Sequence, residues 1–161
     1  MCQLLGMNCN TPTDIVFSFT GFAHRAGRTG EHTDNQPALT SPVAELVRHY
    51  PIRSEHVIAH IRKATVGRVA LENCHPFVRE LWGRYWVFAH NGDLKDYDPP
   101  LHGAFRPVGD TDSEHAFCWL MQELAKCHAR VPTAQELTET LRELVPRIAA
   151  HGTFNFMLSN G

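Results

Sequence analysis

The first candidate for chemistry is Cys2, which stands directly behind the initiator methionine in MCQLLGMN. Removal of Met1 would leave an amine and a thiol on the same residue. An α-amino group titrates near pH 8 and an ordinary cysteine thiol near pH 8.5, so this amine can act as the base for its own thiol. Position alone leaves open the alternative that Cys2 is a small buried apolar residue.

An oxyanion site is predicted at Asn91 and Gly92, which follow the apolar run YWVFAH in AHNGDLKDYDPP. Asn-Gly is a hairpin signal, but the Asp- and Pro-rich residues behind it do not fit a returning strand. A glycine with positive φ at a strand end can turn backbone N–H groups outward, and the Asn amide adds a donor. The alternative is a simple loop turn.

Two charged residues could hold a substrate by its charges. Arg62, just past the apolar run in AHIRKAT, could bind a carboxylate with two N–H donors, although a surface ion pair is the commoner fate of an arginine. Asp112, in TDSE at a predicted helix start, could accept from an ammonium group or merely interact with the helix dipole.

The elements that must position these residues begin with a short buried strand over residues 2–8. A helix is predicted from Pro12 or Thr13 through TPTDIVFSFTGFAHRAG, followed by a loop over residues 25–40. SPVAELVRHY predicts a second helix with Ser41 as N-cap and Pro42 as its first residue, stopped by Pro51.

The later elements are two buried strands, two helices and a returning strand. HVIAHI and YWVFAH predict strands buried on both faces, and FNFML predicts the last strand. Two predicted capping boxes, Thr111 with Glu114 and Thr133 with Glu136, begin the helices, and the second helix is expected to end at Gly152. One layered α+β domain is the simplest account.

Composition excludes several classes of protein. The chain has 161 residues, 43% hydrophobic and 20% charged, with a net charge of −2. With no basic run and no long apolar stretch, nucleic acid and membrane partners are not expected, and we expect a cytoplasmic protein. Five cysteines without a C-x-x-C pair argue against a disulfide scaffold.

Taken together, these stretches resemble the class II glutamine amidotransferases, the family with an N-terminal cysteine nucleophile, and most closely its small standalone bacterial members. The motifs, in the family's order, are MCQLLGM, HIRKAT, NCHPF, AHNGDL and GDTDSE. The resemblance spans residues 1 to about 115 and, more loosely, the helices behind them.

The resemblance implies a role for each matched position: Cys2 as nucleophile, Asn91 and Gly92 as oxyanion hole, Arg62 for the glutamine α-carboxylate with Thr65 nearby, Asp112 for the α-ammonium, and His75 as support of the pocket. A zwitterionic amino acid needs one fixed cation and one fixed anion, which agrees with the chemistry of these side chains. The thiol would attack the side-chain amide, release ammonia and leave a γ-glutamyl thioester for water. No cofactor or metal is implied.

The implied fold is the layered αββα sandwich of the N-terminal nucleophile hydrolases, in a single domain over residues 1–161. The chain departs from the family where Thr33-Asp34 runs directly into NQPALTSP, without the family's Gly-Trp-Gly turn and pair of strands. The family's domain also continues beyond the strand that ends at Gly161. We therefore expect an incomplete domain with an exposed strand edge and reduced or no glutaminase activity.

Three alternatives to glutamine hydrolysis remain. The same residues could hydrolyse a γ-glutamyl amide in a peptide or thiol metabolite, and a catalytically silent homologue could act as a binding subunit. A zinc site at His56 and His60 is disfavoured, because their spacing makes a metal site on a helix whereas the segment predicts a strand. An ammonia-accepting partner protein and a homo-oligomer are left open.

Overall fold

The computed structural model describes residues 2–15, 40–50, 52–61 and 70–161. The chain divides into two compact units, Met1–Pro76 and Phe77–Gly161. Each unit contains an antiparallel sheet and at least one helix. The prediction that the fold combines helices and strands is therefore confirmed. No helix in the described ranges has both the length and the apolar character needed to cross a membrane.

The first unit is built on two antiparallel strands, β1 (Gln3–Asp14) and β2 (Arg53–Ile61). Their register runs from Gln3 opposite Ile61 to Asn8 opposite His56, and an irregular stretch follows before Thr13 pairs with Ser54. A proline, which lacks an N–H, is tolerated in such a stretch. The strands predicted over residues 2–8 and 56–61 are therefore confirmed, but both are longer than predicted and only partly buried, and the second is thus not buried on both faces.

The prediction that a helix begins at Pro12 or Thr13 is wrong, because both residues belong to β1. Strand pairing with the distant β2, in which Thr13 lies opposite Ser54, overrides the local proline signal. The remainder of that helix and most of the loop predicted over residues 25–40 lie outside the described residues.

The helix of the first unit, α1 (Pro42–His49), begins as predicted. The Ser41 hydroxyl accepts a hydrogen bond from the Ala44 backbone N–H at 3.1 Å. Ala44 packs with Ile61 in a small core to which Leu5 also contributes. The helix ends at His49, and Pro51, the expected stop, is not among the described residues.

The sheet of the second unit has the order β3 (Phe77–Leu81), β4 (Arg84–Leu94) and β5 (Gly152–Ser159), with β4 in the centre. The strands predicted at 85–90 and 154–158 are thus confirmed, but the first is not buried along its whole length, since Tyr85 is 72% exposed. Phe88 lies opposite Phe77 on one side and Leu158 on the other, so large apolar side chains share one face.

Two helices, α2 (Asp112–Cys127) and α3 (Ala134–Ala149), pack on this apolar face. The Phe88 and Phe117 rings stack with centroids 5.0 Å apart. The other large side chains that are fully buried in this core are Trp86, Leu120, Met121, Leu124 and Ile148. Helix α3 ends at Ala149, and Gly152, its predicted end, is the first residue of β5.

The two predicted capping boxes have different outcomes. At α3 both bonds are present: the Thr133 hydroxyl accepts from the Glu136 N–H at 3.2 Å, and the Glu136 carboxylate accepts from the Thr133 N–H at 2.7 Å. At α2 the Thr111 hydroxyl accepts from the Glu114 N–H at 3.2 Å. The Glu114 carboxylate, however, binds other groups, so this box is only half correct.

Candidate active site

Cys2 lies immediately before β1 and is half-buried. The ladder between the two strands of the first unit ends at the pair Gln3 and Ile61. It therefore ends one residue from Cys2 on one strand and one residue from Arg62 on the other. Arg62 and Thr65 themselves are outside the described residues.

His75 is buried in the first unit beside the end of β2. Its ring lies 4.2 Å, centroid to centroid, from the ring of His60, which stands two positions before Arg62 in the sequence. Next to it, the Cys74 thiol donates a hydrogen bond to the Ala70 carbonyl oxygen at 3.4 Å. His75 is thus placed against the strand that leads into HIRKAT.

Asn91 and Gly92 lie within β4 rather than in a turn after it. They pair with Asn155 and Phe154 of β5, and the Asn155 side-chain amide donates to the Asn91 carbonyl at 3.2 Å. The prediction of a strand-end turn with a positive-φ glycine is wrong, because the distant β5 extends the strand through both residues.

A close approach explains why a glycine occupies position 92. A Cβ atom there would overlap the carbonyl oxygen of Thr153 and the Nε2 atom of His90. The missing side chain leaves room for the His90 ring to cross Gly92 and reach β5. The site therefore depends on this glycine for close packing rather than for a left-handed backbone.

Asp112 is the first residue of α2 and joins the helix to the sheet. Its Oδ2 atom accepts from the Leu94 N–H at 2.8 Å, and its Oδ1 atom accepts from the Ser113 N–H at 2.8 Å. The side chain is thus fixed at the end of the strand that carries Asn91 and Gly92. A carboxylate has about four acceptor positions, so capacity remains for a further donor.

His90 is a buried residue close to Gly92 and Asp112 that the sequence reasoning missed. It is only 2% exposed; its Nδ1 atom lies 2.8 Å from the Ser113 hydroxyl and its Nε2 atom 3.0 Å from the Thr153 carbonyl oxygen. Burial lowers the pKa of His90. The sequence pattern that could have identified His90 as buried is its position in β4, because side chains two residues apart in a strand share a face, and Trp86 and Phe88 lie on the same face as His90.

Glu114 is the second residue that was misjudged, because it is buried and paired rather than part of a capping box. Its carboxylate accepts from Arg79 at 2.5 Å, from the Val108 N–H at 3.0 Å and from the Gly109 N–H at 2.8 Å. These bonds fix the loop that leads into the helix start. No local pattern identifies Arg79 as the partner, because it lies 35 residues earlier.

The other cysteines differ in their surroundings. Cys118 is buried, and burial raises the pKa of its thiol, which disfavours reactivity. Cys9 is half-buried in β1. Cys127, at the end of α2, is exposed, so general alkylating reagents will reach it. A reagent shaped like glutamine is therefore needed to single out Cys2.

A cleft of about 290 Å³ in the second unit offers different chemistry. Its walls include Tyr97, Trp119 and Arg147, and the Arg147 guanidinium lies 4.6 Å from the Trp119 ring centroid. No cysteine, serine or threonine is among its lining residues. Elsewhere in the described ranges, no three His, Cys, Asp or Glu side chains are grouped to hold a metal ion.

The chain matches the model of the class II glutamine amidotransferases in two segments, residues 1–35 and 33–161. A Haemophilus influenzae protein named "Putative glutamine amidotransferase" is 50% identical over 178 residues, covering 100% of this chain and 60% of the relative. The Escherichia coli protein named "Putative glutamine amidotransferase YafJ" is 48% identical over 179 residues, covering 100% of this chain and 70% of the relative.

A crystal structure described as a predicted glutamine amidotransferase from Pseudomonas aeruginosa is also similar. It shares 47% sequence identity with a TM-score of 0.63, over 70% of this chain and 44% of that chain. This chain belongs to the class II glutamine amidotransferases, and the predicted family is confirmed. It spans 60% of the length of the Haemophilus relative and less than half of the Pseudomonas chain.

Proposed function

We propose that the chain hydrolyses the side-chain amide of glutamine, with Cys2 as nucleophile and its own α-amine as base. The thiolate attacks the amide carbon and the amine takes the thiol proton. The tetrahedral intermediate then expels ammonia, which carries that proton away, and leaves a γ-glutamyl thioester. Water cleaves the thioester to release glutamate and restore the thiol.

The other proposed roles follow the charges and dipoles of the substrate. Asp112 accepts from the α-ammonium, and Arg62 with Thr65 nearby holds the α-carboxylate. Asn91 and Gly92 donate to the oxyanion that forms on the amide oxygen. His75 supports the pocket from the end of β2, where its ring contacts His60.

The observation that carries the proposal is the 2.8 Å bond from the Leu94 N–H to the Asp112 carboxylate. It joins the strand that contains Asn91 and Gly92 to the helix that begins with the acid. Glutamine presents an ammonium group at one end and an amide at the other, so its acceptor and its oxyanion donors must be held at a fixed separation. The family match over the whole chain supports the same assignment.

The fold we propose for this chemistry is the αββα sandwich of N-terminal nucleophile hydrolases. It is supported by the second unit, in which two helices cover one face of an antiparallel sheet, and by the strand pair and helix of the first unit. An experimental structure with a glutamine analogue bound tests the layering and the convergence of Cys2, Arg62, Asn91 and Asp112.

The test of function begins with intact-mass confirmation that Met1 has been removed. We expect one equivalent of a diazoketone analogue of glutamine to label Cys2, and ammonia release from glutamine to be lost in Cys2→Ala. Cys9→Ala is the matched control, since Cys9 is also half-buried and belongs to the strand that Cys2 precedes. Labelling of Cys74 or Cys118 instead would overturn the assignment.

The same assay separates glutamine from other γ-glutamyl amides. Faster cleavage of γ-glutamyl dipeptides than of glutamine would identify a γ-glutamyl amide hydrolase acting through the same thioester. Absence of both labelling and hydrolysis would identify a catalytically silent homologue.

A further inference from the structure

His90 occupies an unusual position for a titratable group. It lies in the central strand, is 2% exposed, and packs with its ring centroid 5.0 Å from that of Phe154. Burying a polar ring in an apolar layer is unfavourable unless its nitrogens are hydrogen-bonded. Both ring nitrogens do have partners, and those partners belong to two other elements, α2 and β5.

The partners fix the tautomer of the ring. The Thr153 carbonyl oxygen can only accept, so the Nε2 atom of His90, 3.0 Å away, must carry the proton. In the neutral ring the Nδ1 atom is then an acceptor, and the Ser113 hydroxyl donates its one proton to this atom at 2.8 Å rather than to the Oδ1 atom of Asp112, which is farther away at 3.3 Å. Burial favours this neutral form by lowering the pKa of His90.

Ser113 and Asp112 give the helix start two separate attachments to β4. The Ser113 hydroxyl binds His90, and the Asp112 carboxylate binds the Leu94 N–H at 2.8 Å. The two anchor points are four residues apart on the strand. The Glu114 carboxylate holds the loop before the helix, whereas the Asp112 and Ser113 bonds together fix the position of the helix start along β4.

We propose that His90 is a positioning residue which, through Ser113, sets where the carboxylate of Asp112 meets the substrate ammonium. Gly92, which lies between the two anchor points, provides the space for the ring. The inference rests on the proposed function for its effect on glutamine, but the attachment itself is a property of the second unit. Neither His90 nor Ser113 contacts the substrate in this scheme.

Three variants isolate the attachment. Ser113→Ala removes the hydroxyl alone, and Ser113→Thr restores a hydroxyl at the same position. Thr140→Val is the matched control, because the Thr140 hydroxyl of α3 makes a bond of the same 2.8 Å length to His128, the residue after α2, away from the proposed site.

For glutamine hydrolysis we expect Ser113→Ala to raise KM by about tenfold, with kcat changed far less and the rate of Cys2 alkylation unchanged. Ser113→Thr should return KM to within about threefold of the original value, and Thr140→Val should leave it unchanged. A KM for Ser113→Ala within about twofold of the original protein overturns the proposal.

Two measurements do not depend on activity. Nitrogen-15 NMR of the imidazole should report the neutral Nε2–H tautomer for His90, and amide exchange at Leu94 should speed up in Ser113→Ala but not in Thr140→Val. An Nδ1–H tautomer, or unchanged exchange at Leu94, overturns the attachment. If the original chain has no glutaminase activity but shows the expected tautomer of His90 and the expected amide exchange at Leu94, the result would count against the proposed function alone.

Discussion

Three consecutive side chains at the start of α2 bind three different parts of the second unit. Asp112 binds the backbone of β4, Ser113 binds the His90 ring, and Glu114 binds Arg79 and the preceding loop. Their spacing in the sequence indicates only a helix start. Their separate roles depend on partners that are 18, 23 and 35 residues away, so no local pattern could reveal them.

At His90 the structure predicts a specific dependence of stability on pH. Burial lowers the pKa of this ring, against the raising effects of the Thr153 carbonyl, Asp112 and Asp93. As the pH falls below 6.5, the ordinary pKa of this histidine, the His90 ring binds a proton in the unfolded chain but not yet in the folded chain. The contribution of His90 to stability is therefore complete above pH 6.5, and the free energy of unfolding falls as the pH drops below this value.

Urea unfolding between pH 5 and 8 measures this effect, at most about 1.4 kcal/mol per pH unit for one group. We expect His90→Phe to remove that part of the slope. The control is His128→Phe, which replaces the histidine of the other His–hydroxyl pair. An unchanged slope in His90→Phe would show that the ring is not buried in its neutral form.

Gly92 provides a second prediction at the scale of one residue. In Gly92→Ala the new Cβ meets the Thr153 carbonyl and the His90 ring, so we expect a loss of about 3 kcal/mol in the free energy of unfolding. The control is Gly103→Ala, where φ is +90° but no atom lies within 4 Å. Backbone strain alone should cost about 1 kcal/mol there. Equal losses in denaturant unfolding would contradict the close approach.

At the scale of elements, the sequence predicts best where one element determines its own structure. Ser41 and Thr133 act as N-caps because the groups they bind are three residues away. FNFML is a strand because Phe154, Phe156 and Leu158 repeat every second residue on one face. The Asn-Gly pair and Pro12 led to wrong predictions, because pairing with a distant strand determines the local structure in both places.

The two glutamates at the third helical position of α2 and α3 test how burial changes the role of one sequence motif. Glu114→Gln leaves the Arg79 guanidinium without its buried counter-charge, and we expect a loss of about 3 kcal/mol in the free energy of unfolding. Glu136→Gln is the matched control, because the Glu136 side chain is 39% exposed, its arginine partner Arg130 is 69% exposed, and the amide replacement still accepts from Thr133. Similar losses in the two variants would contradict the buried pair.

At the scale of the whole molecule, the family model matches in two segments that meet at residues 33–35. The alignment with the Haemophilus relative runs over 178 residues, whereas the chain has 161. These observations support our proposal that the chain lacks an internal part of the family's sheet near Thr33 and Asp34, two residues that lie outside the described ranges.

The proposal predicts that activity depends on restoring this part. We expect that inserting between Thr33 and Asp34 the residues with which the Haemophilus relative bridges the junction raises kcat/KM for glutamine by about tenfold or more, because small displacements of reacting groups have large effects on rate. An insertion of the same residues in scrambled order is the control and should have no effect. The proposal fails if the 161-residue chain is already monomeric, unfolds cooperatively and hydrolyses glutamine at a rate that Cys2→Ala abolishes and the insertion does not improve.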